Sequence, residues 1–226
     1  LLMMDRKGCQ IIDTTCGDVM RVWKRVRSYA KTEFTAIIHG KADHEETRAT
    51  ASRATTDVGG HYLVILTIED CEYVCNYIRG GGVKKDFLQK FSNAHSSGFD
   101  PDEHLKKIGV ANQTTMLKGE TEEIQKKLYK AIQDRDGKKA AESFQFFDTI
   151  CGATQERQDA LYEMLKLEMD MLLVVGGYNS SNTTHLVEIG QEKIPSFFIR
   201  DAKCLESFEQ ILHFDLEKKK EKRTYS

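Results

Sequence analysis

Two cysteines in matching sequence contexts are the first residues whose types and spacing suggest chemistry. Cys16 lies in DTTCG and Cys151 lies in DTICG. Each is predicted at a strand end before a helix N-terminus, where the helix dipole favours a thiolate. The pair could act as redox partners, serve as metal ligands or be unrelated, since a single cysteine after a strand is more often a packing residue.

A second chemical signal is the turn that follows the apolar residues 171–175. This run predicts a strand buried on both faces, as in a parallel sheet. Gly176 and Gly177 allow a sharp turn, and six hydroxyl or amide residues follow at positions 179–184. The free N–H groups of a helix start bind anions. An ordinary N-cap needs only one such residue, so the pattern favours a phosphate site over a simple cap.

Polar residues also follow two other predicted strands. Ligands bind at the carboxyl ends of strands in open α/β sheets, so these residues are expected to face the same cleft. His44 is a candidate phosphate donor and Glu46 a candidate proton carrier, although a surface pair at a helix start is an equally simple interpretation. Thr114 and Thr115 could line the cleft or be ordinary strand residues, because threonine is favoured in strands.

The elements that must position these residues alternate between strands and helices, which is typical of an α/β fold. Strands are predicted at residues 9–14, 34–38, 62–67, 108–112, 144–150, 171–175 and 195–200. Helices are predicted at 17–30, from about 44, and at 69–78, 84–93, 121–132 and 154–167. A charged connector at 134–139 suggests a boundary between two α/β units near 134–143. The charge run at 217–223 is predicted to be a solvated helix end or disordered.

Composition argues against several classes of protein. The net charge of −2 does not favour binding to nucleic acid or to an acidic membrane surface, and no apolar run approaches the ~18 residues of a membrane helix.

Six cysteines without a secretory signal are predicted to be reduced thiols or metal ligands, with Cys71 and Cys75 packing on one helix face. No targeting segment is visible, and the start at Leu1 suggests a chain entered partway through a domain.

Five motifs occur in order along the chain: DTTC, HGKxxHEETxATAS, ANQTTMLKGETEEI, DTICxATQERQDA and VVGGYNSSNTTHL. Together they resemble the 4-hydroxy-3-methylbut-2-enyl diphosphate reductases, especially the plant and cyanobacterial branch, over about residues 10–212. The resemblance implies an α/β cloverleaf of three units with mainly parallel sheets, one unit being largely missing here. Residues 1–16 would then be the last strand of the first unit, 17–143 the second unit and 144–226 the third.

The resemblance also implies roles for individual residues. Cys16 and Cys151 would be two of the three cysteine ligands of a 4Fe–4S cluster. The third ligand is not in this chain, because Cys9, Cys71, Cys75 and Cys204 do not fall at its place in the pattern. Glu46 would supply protons, relayed near Thr114. The rest of the substrate cavity would be lined by His44, Thr115, Ser180, Ser181 and Asn182.

The implied activity is the last step of the non-mevalonate isoprenoid pathway. Two electrons and two protons remove the hydroxyl of the allylic diphosphate as water and give isopentenyl and dimethylallyl diphosphate. The implied electron donor is ferredoxin, and the implied location is the plastid stroma, or the cytoplasm of a cyanobacterium. The chain alone is expected to be inactive. The alternative is a degenerate, non-catalytic paralogue that serves as a structural subunit of a larger plastid assembly.

Overall fold

The computed structural model describes residues 12–55, 59–147 and 150–225, which form two sheets with helices packed on them. The strands are β1 Thr35–His39, β2 Tyr62–Ile65, β3 Ile108–Asn112, β4 Phe144–Phe146, β5 Leu172–Val175, β6 Ser196–Ile199, β7 Leu205–Ser207, β8 Gln210–Asp215 and β9 Lys220–Tyr225. The helices are α1 Gly17–Lys31, α2 Glu45–Thr55, α3 Ile68–Ile78, α4 Lys84–Lys90, α5 Pro101–His104, α6 Lys118–Asp136, α7 Ala140–Ser143, α8 Gly152–Met164 and α9 Ser181–Gln191. The predicted α/β class is confirmed.

The first sheet is parallel throughout, in the order β2-β1-β3-β4. Every residue of β1 is buried, because helices cover both faces. Successive side chains of a strand point to opposite faces. Ile37 therefore packs into the core that holds residues of α3 and α6, and Ile38 packs into the core formed with α1 and α2. We call this part, residues 17–147, the N-terminal unit.

A close approach of α1 to the sheet depends on a glycine in β3. A Cβ atom at Gly109 would lie 2.6 Å from the ring of Tyr29. The Tyr29 hydroxyl donates a hydrogen bond of 2.9 Å to the carbonyl oxygen of Val110. The absence of a side chain at Gly109 thus allows α1 to pack closely against β3.

The boundary between the units differs from the predicted one. Residues from 144 onward were expected in the last unit, but β4 pairs in parallel with β3, with Phe144 opposite Ile108. Phe144 also belongs to the core beneath α6. The expected connector at 134–139 is largely helical, because α6 continues to Asp136. After this helix the chain returns to the edge of the same sheet as β4.

The second sheet, in the C-terminal unit of residues 150–225, is mixed. Its order is β5-β6-β8-β7, with β9 also paired to β8, and only β5 and β6 are parallel. The prediction that the strand near 171–175 is buried on both faces is wrong. Leu172 and Val174 pack into the core with α8 and α9, whereas Leu173 is 36% and Val175 62% exposed. The described residues cover only one face of this strand.

The prediction of a helix end or disorder at 217–223 is also wrong. This segment forms the turn and most of β9, which pairs with β8 from Gln210 opposite Tyr225 to Asp215 opposite Lys220. The hairpin satisfies the backbone groups while the charged side chains stay in water. Arg223 adds two hydrogen bonds to Glu206, of 2.8 and 3.0 Å.

Two further expectations concern the cysteines and the start of the chain. Cys71 and Cys75 are buried on α3 with their sulfur atoms 3.9 Å apart, which confirms them as packing residues. Of the strand predicted at 9–14, residues 9–11 lie outside the described residues and 12–14 are not in a strand. Among the described residues, no helix is long and apolar enough to cross a membrane.

Candidate functional site

The two candidate ligand cysteines both precede helices. Cys16 is the N-cap of α1 and Cys151 is the N-cap of α8, as the sequence predicts. The Asp18 carboxylate, in the first turn of α1, contacts the Cys151 side chain and the Gly152 N–H, and the Cys151 contact is the main cause that lowers the pKa of Asp18. Cys16 and Cys151 therefore lie at neighbouring helix N-termini.

The residues present fit part of a metal centre. Cysteine thiolates hold iron–sulfur clusters, and both of these thiols are accessible, Cys16 being exposed and Cys151 partly so. Within the described ranges, no group of three or more His, Cys, Asp or Glu side chains could hold a metal ion. The pair accordingly fits two cluster ligands and not a complete set.

Glu46 and Thr114 form the best-defined polar pair of the site. The Thr114 backbone N–H donates to Glu46 Oε1 at 2.6 Å, and the Thr114 hydroxyl donates to Glu46 Oε2 at 3.0 Å. Glu46 is in the first turn of α2 and Thr114 follows β3. The two residues form two hydrogen bonds with each other although they are 68 positions apart in the sequence. The Thr114 carbonyl also accepts a hydrogen bond of 3.1 Å from the Cys151 N–H. This bond links the Glu46–Thr114 pair directly to the backbone of Cys151.

His44 is oriented by its own chain. The Glu46 backbone N–H donates to His44 Nδ1 at 3.2 Å. Because Nδ1 accepts this hydrogen bond, the neutral ring carries its own proton on Nε2. His44 thus presents an N–H donor, as binding of a phosphate oxygen requires.

Gln113 connects the strand ends, although it was not among the predicted site residues. Its Oε1 accepts from the Lys41 N–H at 3.2 Å and the Thr47 hydroxyl at 3.1 Å. Its Nε2 donates to Thr115 Oγ1 at 2.8 Å and to Ser181 Oγ at 3.3 Å. Its position inside the ANQTT motif is the one sequence feature that could have drawn attention to it.

The turn before α9 combines a cap with free polar atoms. Ser180 is the N-cap, and its Oγ accepts from the Thr183 N–H at 3.3 Å, so the simple cap interpretation is correct for this residue. Ser181 is 7% exposed and accepts from Gln113, which leaves its hydroxyl proton available to a ligand. Among the described residues, the buried Oδ1 of Asn182 finds no hydrogen-bond partner.

A cavity of about 430 Å³ lies where the two units meet. The N-terminal unit contributes Lys41, Asp43, His44 and Glu45, and the C-terminal unit contributes Tyr178, Asn179, Ser181 and Thr184. Lys41 was part of a quoted motif but was not predicted to be a site residue. A larger cavity of about 740 Å³ beside β4 contains none of the candidate residues, so its size does not make it the functional site.

The fold and the site define an α/β protein with a polar cavity between two units, a helix N-terminus at that cavity and paired thiols at two other helix N-termini. A model of the LytB protein family matches residues 2–220. The chain belongs to this family.

Curated relatives carry one enzyme name. The chain is 51% identical over 224 residues to the 4-hydroxy-3-methylbut-2-enyl diphosphate reductase of Gloeobacter violaceus, covering 98% of this chain and 52% of that protein. It is 50% identical over 218 residues to the protein of the same name from Crocosphaera subtropica, covering 96% of this chain and 53% of that protein. The chain therefore spans about half the length of the curated relatives it matches.

A solved structure supports the fold. The E-1-hydroxy-2-methyl-but-2-enyl-4-diphosphate reductase from Plasmodium falciparum superposes with a TM-score of 0.57 at 22% identity, covering 87% of this chain and 52% of that one. At this identity the likeness concerns the fold alone.

Proposed function

We propose that this chain is part of an iron–sulfur reductase that converts 4-hydroxy-3-methylbut-2-enyl diphosphate to isopentenyl and dimethylallyl diphosphate. The names of the relatives support the reaction. The double contact between Glu46 and Thr114 beside a polar cavity is the observation that carries the proposal. A protein with a purely structural role would have no need for this pair or for the accessible thiols.

The diphosphate binds at the start of α9. The helix dipole and the free N–H groups of its first turn attract an anion. Ser181 offers a hydroxyl proton, and Ser180 and Asn182 complete the turn. Across the cavity, His44 offers its Nε2–H.

Thr115 and Lys41 add to this site from the N-terminal unit. Thr115 is held by the Gln113 amide. Lys41 lines the cavity and brings a positive charge close to the phosphates. The described lining of the pocket therefore combines neutral donors from both units with the Lys41 ammonium group, and the carboxylates of Asp43 and Glu45 also line it.

Glu46 and Thr114 move the protons. The overall change takes up two electrons and two protons, breaks the substrate C–O bond and releases water. Glu46 Oε2 lies 3.0 Å from Thr114 Oγ1. When Glu46 is protonated on Oε2, it donates to this hydroxyl, which in turn passes its own proton to the departing oxygen. The Thr114 N–H on the other carboxylate oxygen keeps the acid in position during the transfer.

Cys16 and Cys151 would be two ligands of a 4Fe–4S cluster, whose third cysteine ligand is not in this chain. When bound, such a cluster would pass electrons from the electron donor to the substrate. Ferredoxin is the proposed electron donor, and the plastid stroma, or the cyanobacterial cytoplasm, is the proposed location.

The test uses the full-length protein reconstituted anaerobically with iron and sulfide. Glu46→Gln removes the proton donor while keeping the shape of the side chain, so turnover should fall by about 100-fold or more while the visible cluster absorbance is retained. The control is Glu72→Gln, an exposed carboxylate on α3, which should leave turnover unchanged. A folded wild-type protein with neither cluster nor turnover would instead identify a non-catalytic paralogue.

A further inference from the structure

Helix α1 carries a strong local charge that the proposed reaction does not use. Its 15 residues include five cations and one anion, Asp18, which gives a net charge of +4, although the net charge of the whole chain is −2. Helix α6 also contains five cations, but five anions balance them. The positive charge of α1 is therefore not a general property of the helices of this protein.

The cations of α1 lie on its solvent side. The buried residues of the helix are at positions 22, 26 and 29. With about 3.6 residues per turn, Arg21, Lys24 and Lys31 fall on the side of the helix away from these positions, and all three are exposed. A molecule that approaches α1 from solvent therefore meets a row of positive charges.

Few carboxylates neutralise this row. Arg21 pairs with Asp18, but no carboxylate of the described residues forms an ion pair with Lys24 or Lys31. On α6, by contrast, three lysines each pair with a carboxylate of the same helix. The charge of α1 is thus left available to a partner.

Two arginines extend the row on either side, and aromatic rings hold them. The guanidinium of Arg25 lies 3.6 Å from the centroid of the Phe147 ring, and that of Arg53, on α2, lies 4.3 Å from the centroid of the Trp23 ring. An aromatic ring orients a cation without cancelling its charge. We call the following five residues the basic face: Arg21, Lys24, Arg25, Lys31 and Arg53.

The basic face begins next to a candidate cluster ligand. Cys16 is the N-cap of α1 and is exposed. At about 1.5 Å per residue, Lys24 lies about 12 Å from Cys16 along the helix axis. Met20, one turn after Cys16, is 42% exposed, and a flexible thioether suits a protein-binding surface. A protein that binds the basic face would therefore also reach the Cys16 end of the site.

The other helix that begins at a candidate ligand has the opposite charge. Helix α8 follows Cys151 and contains three anions and one cation, a net charge of −2. A second basic segment, residues 217–223, forms part of the hairpin with β8 and adjoins neither cysteine in the sequence. An acidic partner is therefore attracted to α1 and repelled by α8.

We propose that the basic face is the docking surface for an acidic electron-carrier protein. Opposite charges steer the encounter and speed association without requiring a tight complex. Each docked carrier gives up one electron, so two carriers are oxidised for each substrate molecule that is reduced. This proposal rests on the proposed function, because it takes the electrons of that reaction to come from a protein.

The experiment measures the affinity of the full-length protein for a plant-type ferredoxin of net negative charge, at low and at high salt. Lys24→Glu combined with Lys31→Glu should weaken binding by about tenfold at low salt. High salt screens the attraction, so the wild-type protein should lose affinity and approach the double variant. Turnover driven by reduced methyl viologen needs no docking surface, and it should stay within about twofold of the wild-type rate.

The matched control is Lys126→Glu combined with Lys130→Glu on α6, whose side chains are 78% and 63% exposed. It changes the net charge by the same amount on the opposite face of the first sheet, and it should leave the affinity for ferredoxin unchanged.

The proposal is overturned if the α1 double variant keeps wild-type affinity at low salt, or if the α6 control loses as much. Tighter binding of a short DNA duplex than of ferredoxin would assign the basic face to nucleic acid and would also overturn it. If methyl viologen drives no turnover in the reconstituted wild-type protein, the proposed function fails, and the ferredoxin affinities alone then decide whether α1 is a docking surface.

Discussion

Gln113 carries a single side-chain amide that forms hydrogen bonds with four other residues, Lys41, Thr47, Thr115 and Ser181. It is 1% exposed, and its contacts reach as far as Ser181, 68 residues away. Losing the side chain would leave the Lys41 N–H and the Thr47 hydroxyl without their acceptor in a partly buried setting.

We expect Gln113→Leu to lower the free energy of unfolding by about 2–3 kcal/mol, since orphaned buried donors cost about 1–3 kcal/mol. Urea unfolding measures the change. Gln133→Leu on the exposed face of α6 is the control and should have little effect. An equal loss in both variants would contradict the role given to the Gln113 amide.

Much of the site at the residue level could be predicted from local motifs. The positions of Cys16 and Cys151 before helices, and of Ser180 at a helix start, follow from the glycines and polar residues around them. Gln113 and His39 could not be found in this way, because their contacts are with residues far away in the sequence. An amide or imidazole beside a strand gives no local indication of its partner.

At the level of elements, the parallel first sheet could be predicted and the second sheet only in part. Continuous apolar runs identify β1 and β3, which are buried along their length. The same type of run at β5 leaves Leu173 and Val175 exposed, because composition does not indicate how many faces are covered. The hairpin of β8 and β9 was missed because its charged residues resemble a solvated tail.

Two glycines provide a matched test of element packing. Gly109→Ala should destabilise the protein by about 1–3 kcal/mol, because the new methyl group would press on the buried Tyr29 ring. Gly119→Ala lies in the first turn of α6, where no atom of the described residues is within 4 Å of the new methyl group. It should stabilise the protein by about 0.5 kcal/mol through helix propensity. Thermal unfolding of both variants should therefore shift in opposite directions, and a shared direction would refute this account of α1 packing.

The stability of the whole molecule should depend on pH through His39. Burial is the main cause that lowers the pKa of His39 to about 4, hydrogen bonding to the Leu66 backbone acts against it, and His185 lowers it further. Glu120 also faces the ring, and burial raises the pKa of that carboxyl.

An unfolded histidine takes up a proton near pH 6.5, whereas folded His39 does so only near pH 4. The contribution of neutral His39 to the free energy of unfolding is therefore fully present above about pH 6.5 and is lost as the pH falls towards 4. At pH 5 the loss is about 2 kcal/mol. Urea unfolding at pH 7.5 and pH 5 measures this loss, and His39→Gln should remove it. A wild-type protein whose pH dependence matches that of His39→Gln would contradict the assignment.

The cavity between the units has a practical consequence at the scale of the whole chain. The cores of the two sheets consist of separate sets of residues, while the cavity takes its walls from both. Two polypeptides cut between β4 and β5 would each keep an interior of their own but only half of the anion pocket. Fused to the halves of a split reporter, they would reassemble more completely when a diphosphate bridges them, which would convert ligand binding into a complementation signal.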